Sequence, residues 1–295
     1  MSPIVTSPDG TNWTPRFSGT RYALRDVAYG HGLYVAVGAV GTILTSPDGV
    51  SWNLLPSPTV LNLNALTFGN DKFLIVGDHF VSTMHGTNET NAVILSSTNG
   101  LDWSSATIAG VDPDPKNLRG VTAGPGLFVI TGNDGTILIS TNGQDWSGRP
   151  SYLGPYKTNL RGGAFGNGTW VVVGNFGITL SSEIAVSWIW RSPGTYQNLH
   201  SVVYALGTFF AVGDGGAILQ SRPLIGLNGR ERNAGDGFEL TMVGESMHPY
   251  RLQASSNLTT WVDLLIYTNR EPATVFLDSA ATNPPHRFYR VTTPQ

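Results

Sequence analysis

The chain has 295 residues, of which 40% are apolar and 13% charged, and its formal net charge is −3. This charge implies no nucleic-acid partner and no general attraction to membrane surfaces, and no apolar run approaches bilayer-spanning length. The absence of cysteine excludes disulfides, thiolate metal sites and a cysteine nucleophile. The 36 glycines and the many β-branched and aromatic residues favour short strands joined by tight turns.

A ten-residue segment recurs along the chain. Each of the four regular copies has an apolar pair, a turn in which Asp or Asn precedes Gly, and a Trp three residues after that Gly. The Asp or Asn can accept hydrogen bonds from its own turn and the Gly can adopt positive φ, so we interpret these residues as structural. We predict that Trp52, Trp103 and Trp146 are buried beneath their turns. The copies are IVTSPDGTNW (4–13), ILTSPDGVSW (43–52), ILSSTNGLDW (94–103), ILISTNGQDW (137–146) and the divergent TLSSEIAVSW (179–188).

The segment belongs to a longer unit of about forty residues that reads as four strands. A period of this length predicts a β-propeller. The chain holds five first-and-second strand pairs but six third-strand segments, and its last unit has no recognisable fourth strand. The simplest closure pairs residues 11–17 with 218–221 or with its neighbour in the last blade, and gives five four-stranded blades. The units begin at Leu24, Leu63, Leu118, Leu160 and Leu199.

The repeat ends near residue 222. We assign 1–222 to the propeller, 223–237 to a linker, and 238–295 to a small β-sandwich-like module with alternating polar and apolar residues. Trp261 and Tyr289 are predicted to lie in the core of this module. It is similar to C-terminal modules of exported bacterial proteins, which implies an accessory role in attachment, sorting or spacing.

One position of the repeat predicts a binding site. In a propeller the first strand of each blade lines the central channel, so the residue after each leading Leu opens at the channel mouth. Clustered cations at a narrow mouth attract anions. Alternatively, each cation pairs with an acid or a loop carbonyl of its own blade, for which Asp26 and Asp134 are available. The mouth residues are Arg25, Asn64, Arg119, Arg161 and His200.

Acids and histidines are predicted at the same face. Asp78, Asp134 and Asp214 follow the second strands, and an insertion at 77–92 adds His79 and His85. With His200, these residues are the candidates for acid–base catalysis. Their spacing fits no strong metal motif, so we assign no metal ligands and no cofactor, although a metal at the channel stays open.

Aromatic residues occur in the loops that lead into the first strands. Tyr22, Tyr156 and Tyr196 suit stacking against sugars, and they equally suit packing of long loops.

The repeated turn resembles the Asp-box of BNR-type propellers, whose consensus is S-x-D-x-G-x-T-W, in a form one residue shorter. In this form, over residues 4–221, the chain looks like photosystem II assembly-factor propellers and exported bacterial propellers. Sialidases also carry Asp-boxes and bind a carboxylate through three arginines. The departures are that such sialidases have six blades and a Tyr–Glu pair, for which this chain has no convincing counterpart.

Three functions follow from these features. The first is an exported bacterial propeller, extracellular or periplasmic and monomeric, that binds an anionic small molecule, glycan or peptide at its mouth; no signal peptide is recognisable in this chain. The second is a hydrolase of glycosides or of phosphate, sulfate or carboxylic esters that uses the His and Asp candidates. The third is a passive scaffold for interactions.

Overall fold

The structure, a computed structural model, describes residues 3–80, 90–106, 117–151, 158–191, 194–221, 226–231, 237–243, 249–268, 273–281 and 287–292. The chain divides into two compact units, 1–203 with 211–218, and 204–210 with 219–295. The described regular structure consists of β-strands and three single 3-10 turns, as the composition predicts.

Antiparallel sheets follow one another along the repeat. A two-stranded sheet contains β1 (Ile4–Thr6) and β2 (Thr14–Arg16). The first sheet contains β3 (Leu24–Gly30), β4 (Leu33–Gly38), β5 (Ile43–Ser46) and β6 (Asn53–Leu54), and the second β7 (Asn62–Gly69), β8 (Lys72–Phe80), β9 (Thr90–Ser97) and β10 (Ser104–Ser105). The third contains β11 (Leu118–Gly124), β12 (Leu127–Gly132), β13 (Ile137–Ser140) and β14 (Ser147–Gly148), and the fourth β15 (Leu160–Gly166), β16 (Thr169–Gly174), β17 (Thr179–Ser182) and β18 (Ile189–Arg191). The fifth contains β19 (Leu199–Ala205), β20 (Thr208–Gly213) and β21 (Ile218–Gln220).

Consecutive sheets pack face to face. Val35 and Ile43 of the first sheet share an apolar cluster with Leu66, Phe73 and Leu95 of the second. Similar clusters join the second sheet to the third and the third to the fourth. Their first strands are therefore neighbours, with β3 beside β7, β7 beside β11, and β11 beside β15. This is the blade order that the forty-residue period predicts.

The repeated turn is built by its own side chains. Asp48 Oδ1 accepts hydrogen bonds from the N–H groups of Val50 (2.8 Å) and Ser51 (2.9 Å), and these bonds lower the pKa of Asp48. Ser46 Oγ accepts from Gly49 N at 2.8 Å, and Gly49 has φ +73°. The copies with Asp9, Asn99 and Asn142 make the same bonds.

The tryptophans differ more than the turns do. Trp146 is only 6% exposed, which confirms its predicted burial, whereas Trp52 and Trp103 are only partly buried, so that prediction was too strong for them. Trp103 lies at the edge of the cluster that contains Phe73. Trp188 of the divergent copy is buried, although Ile184 replaces the Asp and Ala185 replaces the Gly at φ +56°.

The predicted closure of the repeat is not the pairing that the structure describes. β2 pairs with β1, in the register Thr14↔Thr6, rather than with β21. β1 and β2 form the hairpin that the repeated turn indicates, and this pairing uses one edge of β2. The fifth sheet has three described strands, as its sequence indicates.

The C-terminal strands form two three-stranded sheets, in the orders β22-β23-β26 and β25-β24-β27. Leu240, Met242 and Leu252 form their buried cluster. The strands are β22 (Gly226–Glu231), β23 (Phe238–Val243), β24 (Pro249–Ser255), β25 (Val262–Thr268), β26 (Ala273–Asp278) and β27 (Phe288–Thr292). The assigned linker thus contains β22, which pairs with β23, and the domain boundaries stay a prediction.

The C-terminal sheets also contain a copy of the repeated turn that the sequence analysis missed. Asn257 Oδ1 accepts from Thr259 N (3.0 Å) and Thr260 N (2.8 Å), and Ser255 Oγ accepts from Leu258 N (2.9 Å). Leu258, at φ +63°, occupies the position of the glycine. The spacing of Ser255, Asn257 and Trp261 was the available signal, hidden because no Gly follows the Asn.

Candidate functional site

Three of the mouth residues make one kind of contact, repeated from sheet to sheet. Arg119 Nε donates to Asn133 Oδ1 at 3.1 Å, and Arg161 Nε donates to Asn175 Oδ1 at 2.5 Å. His200 Nε2 lies 2.5 Å from Asp214 Oδ1. In each case the acceptor is fourteen residues further along and opens the turn between the second and third strands.

That turn has a fixed shape that explains the contact. Thr136 N donates to Asn133 O at 3.0 Å, and the residue between them, Asp134, has φ +55°. The tight turn exposes the Asp134 side chain at its tip and directs that of Asn133 toward Arg119. The structure thus places Asp134 beside the candidate site without making it the partner of Arg119.

The remaining mouth residues, Arg25 and Asn64, bond to each other, with Arg25 Nη1 donating to Asn64 Oδ1. Asn64 Nδ2 in turn donates to Leu118 O of the next sheet at 2.8 Å. Asp26 faces away from Arg25, because its Oδ2 accepts from Leu66 N at 2.7 Å and its Oδ1 accepts from Val27 N at 2.8 Å. Burial raises the pKa of Asp26, against the opposing effect of these two bonds.

These contacts leave the positive charges of the three arginines unneutralised. Arg25, Arg119 and Arg161 all donate to neutral amide oxygens, and among the described residues no carboxylate lies within ion-pair distance of them. Two glycines show how closely the strands that carry these residues approach one another. A Cβ on Gly120 would lie 2.7 Å from Arg161 O, and one on Gly162 would lie 3.2 Å from His200 O. The strands that carry these cations are therefore adjacent.

The pair formed by His200 and Asp214 differs from the arginine contacts. Asp214 Oδ2 also accepts from Asn198 Nδ2 at 2.8 Å. The pKa of Asp214 is lowered chiefly by the hydrogen bond with His200, then by that with Asn198, and to a smaller extent by the charges of His200 and Arg161. Arg161 is thus close enough to act electrostatically on this pair. Both side chains of the pair remain about half exposed.

The other candidates show no hydrogen bond or ion pair with these cations in the described part of the chain. Asp78 is only 6% exposed, and its Oδ2 has no hydrogen-bond partner among the described residues. The backbone of His79 continues β8 opposite Asn91. His85 and Tyr156 lie outside the described residues, and Tyr196 is 88% exposed.

Tyr22 lines a cleft of about 540 Å³ that the sequence analysis did not anticipate. Phe17, Val40 and Leu54 are its exposed apolar lining, and the Arg21 guanidinium lies 5.6 Å from the centre of the Tyr22 ring. Within the described ranges, no three His, Asp or Glu side chains are arranged to hold a metal ion. The helical turns seen in those ranges include none that is long and apolar enough to cross a membrane.

Four-stranded sheets in series, with neighbouring first strands, define a β-propeller. Solved structures support this class. YCF48 bound to D1 peptide matches with a TM-score of 0.54 and 19% identity, over 88% of this chain and 86% of that chain. YCF48 from Cyanidioschyzon merolae matches with a TM-score of 0.52 and 14% identity, over 89% and 88%.

A nidogen/laminin complex structure matches with a TM-score of 0.51 and 9% identity, over 90% of this chain and 88% of that chain. At these identities the likeness concerns the fold alone. The sequence matches no protein-family model and no curated protein.

Proposed function

We propose that the chain is an exported bacterial propeller of the Asp-box type that binds an anionic ligand, a small molecule, glycan or peptide, at the mouth formed by Arg25, Arg119, Arg161 and His200. One observation carries the proposal: the three arginines bond to neutral amides and keep their charge. A carboxylate or phosphate can displace or share such a weak acceptor and gain charge-assisted bonds. Peptide binding by the YCF48 neighbour supports a peptide as one ligand class.

The test is a calorimetric titration with acidic peptides, acidic oligosaccharides and inorganic phosphate at low and high salt. Replacing Arg119 and Arg161 together with Ala should weaken binding at least about tenfold, since each charge-assisted bond contributes about 1.5–3 kcal/mol. The melting temperature should hardly change. Arg191→Ala is the matched control, because Arg191 is exposed and bonds only Ser181 Oγ, at 2.7 Å, among the described residues. Equal binding by the double variant and the wild type would rule out the mouth as the binding site.

The same titration separates the ligand classes. Peptides with free and amidated C termini test recognition of a terminal carboxylate. A ligand held through ionic contacts should bind more weakly at high salt, since screening weakens exposed charges. Binding that is insensitive to salt would contradict an arginine-based site.

A second function, hydrolysis, is favoured by the contact between His200 and Asp214. The carboxylate of Asp214 orients the imidazole through Nε2, which leaves Nδ1 as the nitrogen for proton transfer. Arg161 would stabilise negative charge on a bound ester or glycoside.

A substrate panel run with and without chelator tests this function. His200→Gln should abolish turnover while ligand binding persists, and turnover that survives His200→Gln would exclude the pair as the acid–base group. Binding without turnover would support the first function. The absence of both binding and turnover would support a passive scaffold.

A further inference from the structure

The mouth residues and their acceptors follow a spacing rule that two adjacent sheets break. In the third, fourth and fifth sheets the mouth residue contacts the side chain fourteen residues further along. In the first sheet that position holds Ala39, which offers Arg25 no side-chain acceptor. In the second sheet it holds Asp78, but the mouth residue is the neutral Asn64. One sheet thus has a cation without its acceptor, and the next has an acid without its cation.

The backbone carries Asp78 at the place that Asn175 occupies in the fourth sheet. Asp78 lies opposite Asn62 in the β7–β8 ladder, and a Cβ on the preceding Gly77 would meet Asn62 O. The glycine before Asn175 approaches the residue opposite it in the same way. The side chain of Asp78 therefore starts from the position at which the Asn175 amide bonds Arg161.

The carboxylate of Asp78 has no partner at this position. The side chain is only 6% exposed, and no described residue hydrogen-bonds its Oδ2. Asn64 does not fill the gap, since its Nδ2 donates to Leu118 O and its Oδ1 accepts from Arg25. Among the described residues no ion pair joins Arg25 to Asp78. A buried carboxylate without a partner costs free energy, which a cation that meets it recovers.

We propose that the mouth binds a zwitterion, a short peptide whose terminal carboxylate bonds Arg25 beside the other mouth arginines and whose terminal ammonium bonds Asp78. The inference rests on the proposed binding of an anion at the mouth, and it adds a second requirement of opposite charge. An ammonium suits Asp78 better than a hydroxyl does, because only the ammonium neutralises the buried charge.

The spacing of the two groups indicates the size of the ligand. Arg25 is held at Asn64 by its Nη1. Asn64 is two residues from Asn62, the ladder partner of Asp78, and such diagonal neighbours lie roughly 7–8 Å apart. Two extended residues span about 7 Å. A dipeptide with both termini free therefore matches the separation.

The test is a calorimetric titration of the full chain with diglycine, N-acetyl-diglycine and diglycine amide. Diglycine should bind at least about ten times more tightly than either blocked form, because each blocked form keeps only one of the two charge-assisted contacts. A series from glycine to tetraglycine measures the span, and the affinity should be greatest near diglycine.

Asp78→Asn keeps the size of the side chain and removes its charge. It should weaken diglycine binding at least about tenfold and leave N-acetyl-diglycine binding unchanged, so the two changes should not be additive. The melting temperature of the free variant should equal or exceed that of the wild type, because an unpartnered buried charge is removed. Asp71→Asn is the matched control, since Asp71 lies in the turn at the other end of β7 and β8 with its side chain 93% exposed, and it should bind diglycine as the wild type does.

Three results would overturn the zwitterion. They are equal binding of diglycine and either blocked form, an unchanged diglycine affinity in Asp78→Asn, and a lower melting temperature of that variant, which would give Asp78 a structural partner. The proposed function fails separately. If N-acetyl-diglycine binds as tightly as diglycine and the Arg119 and Arg161 double variant loses it, the anion site stands and this inference is wrong. If no carboxylate binds, both are wrong.

Discussion

The same turn occurs between β5 and β6 and between β24 and β25, and the two copies differ in instructive ways. In both, a Ser hydroxyl and an Asx side chain accept the same backbone bonds. The first copy has Gly49 at its left-handed position and the second has Leu258. The turn therefore forms with a side chain other than glycine at its left-handed position, at a cost in backbone strain. In both copies the Trp indole N–H donates to the carbonyl of the left-handed residue, Gly49 O at 3.0 Å or Leu258 O at 3.2 Å, but Trp261 also lies beneath the Arg290 guanidinium at 4.1 Å.

The largest expected effect tests the role of the Trp within the propeller. Trp146→Ala should lower the free energy of unfolding by about 3–5 kcal/mol, because the side chain is buried in the cluster that contains Leu74 and Leu138. Trp13→Ala is the matched control: Trp13 is 58% exposed, so about 1 kcal/mol or less should be lost. Urea unfolding measures both. Similar losses of stability in the two variants would mean that the Trp stabilises its own turn rather than the core between the sheets.

A smaller effect of opposite sign tests the glycine position. Leu258→Gly should stabilise the C-terminal sheets by about 1 kcal/mol, because it relieves a left-handed conformation that costs a side chain about 1–2 kcal/mol. Leu258 is 57% exposed, so little packing is lost. Amide exchange in β24 of the full chain gives the measurement. Leu258→Ala keeps the Cβ and should give no gain, and an equal gain from both would contradict the strain argument.

The smallest expected effect concerns pH. Backbone bonds from Ser51 and Val50 lower the pKa of Asp48 below its ordinary value of 3.8. Its stabilising contribution is therefore complete above that value and is lost as the pH falls through the lowered pKa. Asp48→Asn keeps the acceptor, as Asn99 does naturally, so stability at pH 7 should hardly change while sensitivity to acid decreases. Melting curves between pH 7 and pH 2 measure this, and an unaltered acid dependence would be the contrary result.

The sequence determined more of the fold than of the site. The spacing of the leading Leu residues placed the strands, because a repeated pattern averages out local ambiguity. It also placed Arg119, Arg161 and His200 on adjacent strands. It did not reveal that Asn133 rather than Asp134 bonds Arg119, since one residue of turn geometry decides between them. It indicated the hairpin of β1 and β2, but it did not determine how the ends of the repeat pair, because that pairing joins residues that are distant in sequence.

The tips of the turns at the mouth are tied from one sheet to the next. Val40 N donates to Asn62 Oδ1 (3.2 Å), Asp134 N to Asn159 Oδ1 (3.3 Å), and Phe176 N to Asn198 Oδ1 (3.1 Å). Each Asn directly precedes a leading Leu. The unit that begins at Leu160 thus carries both halves of a connector, the Phe176 N–H toward its successor and the Asn159 side chain toward its predecessor. A duplicate of this unit would arrive with both joints already made, so gene duplication could extend the repeat here without any compensating mutation at the seams.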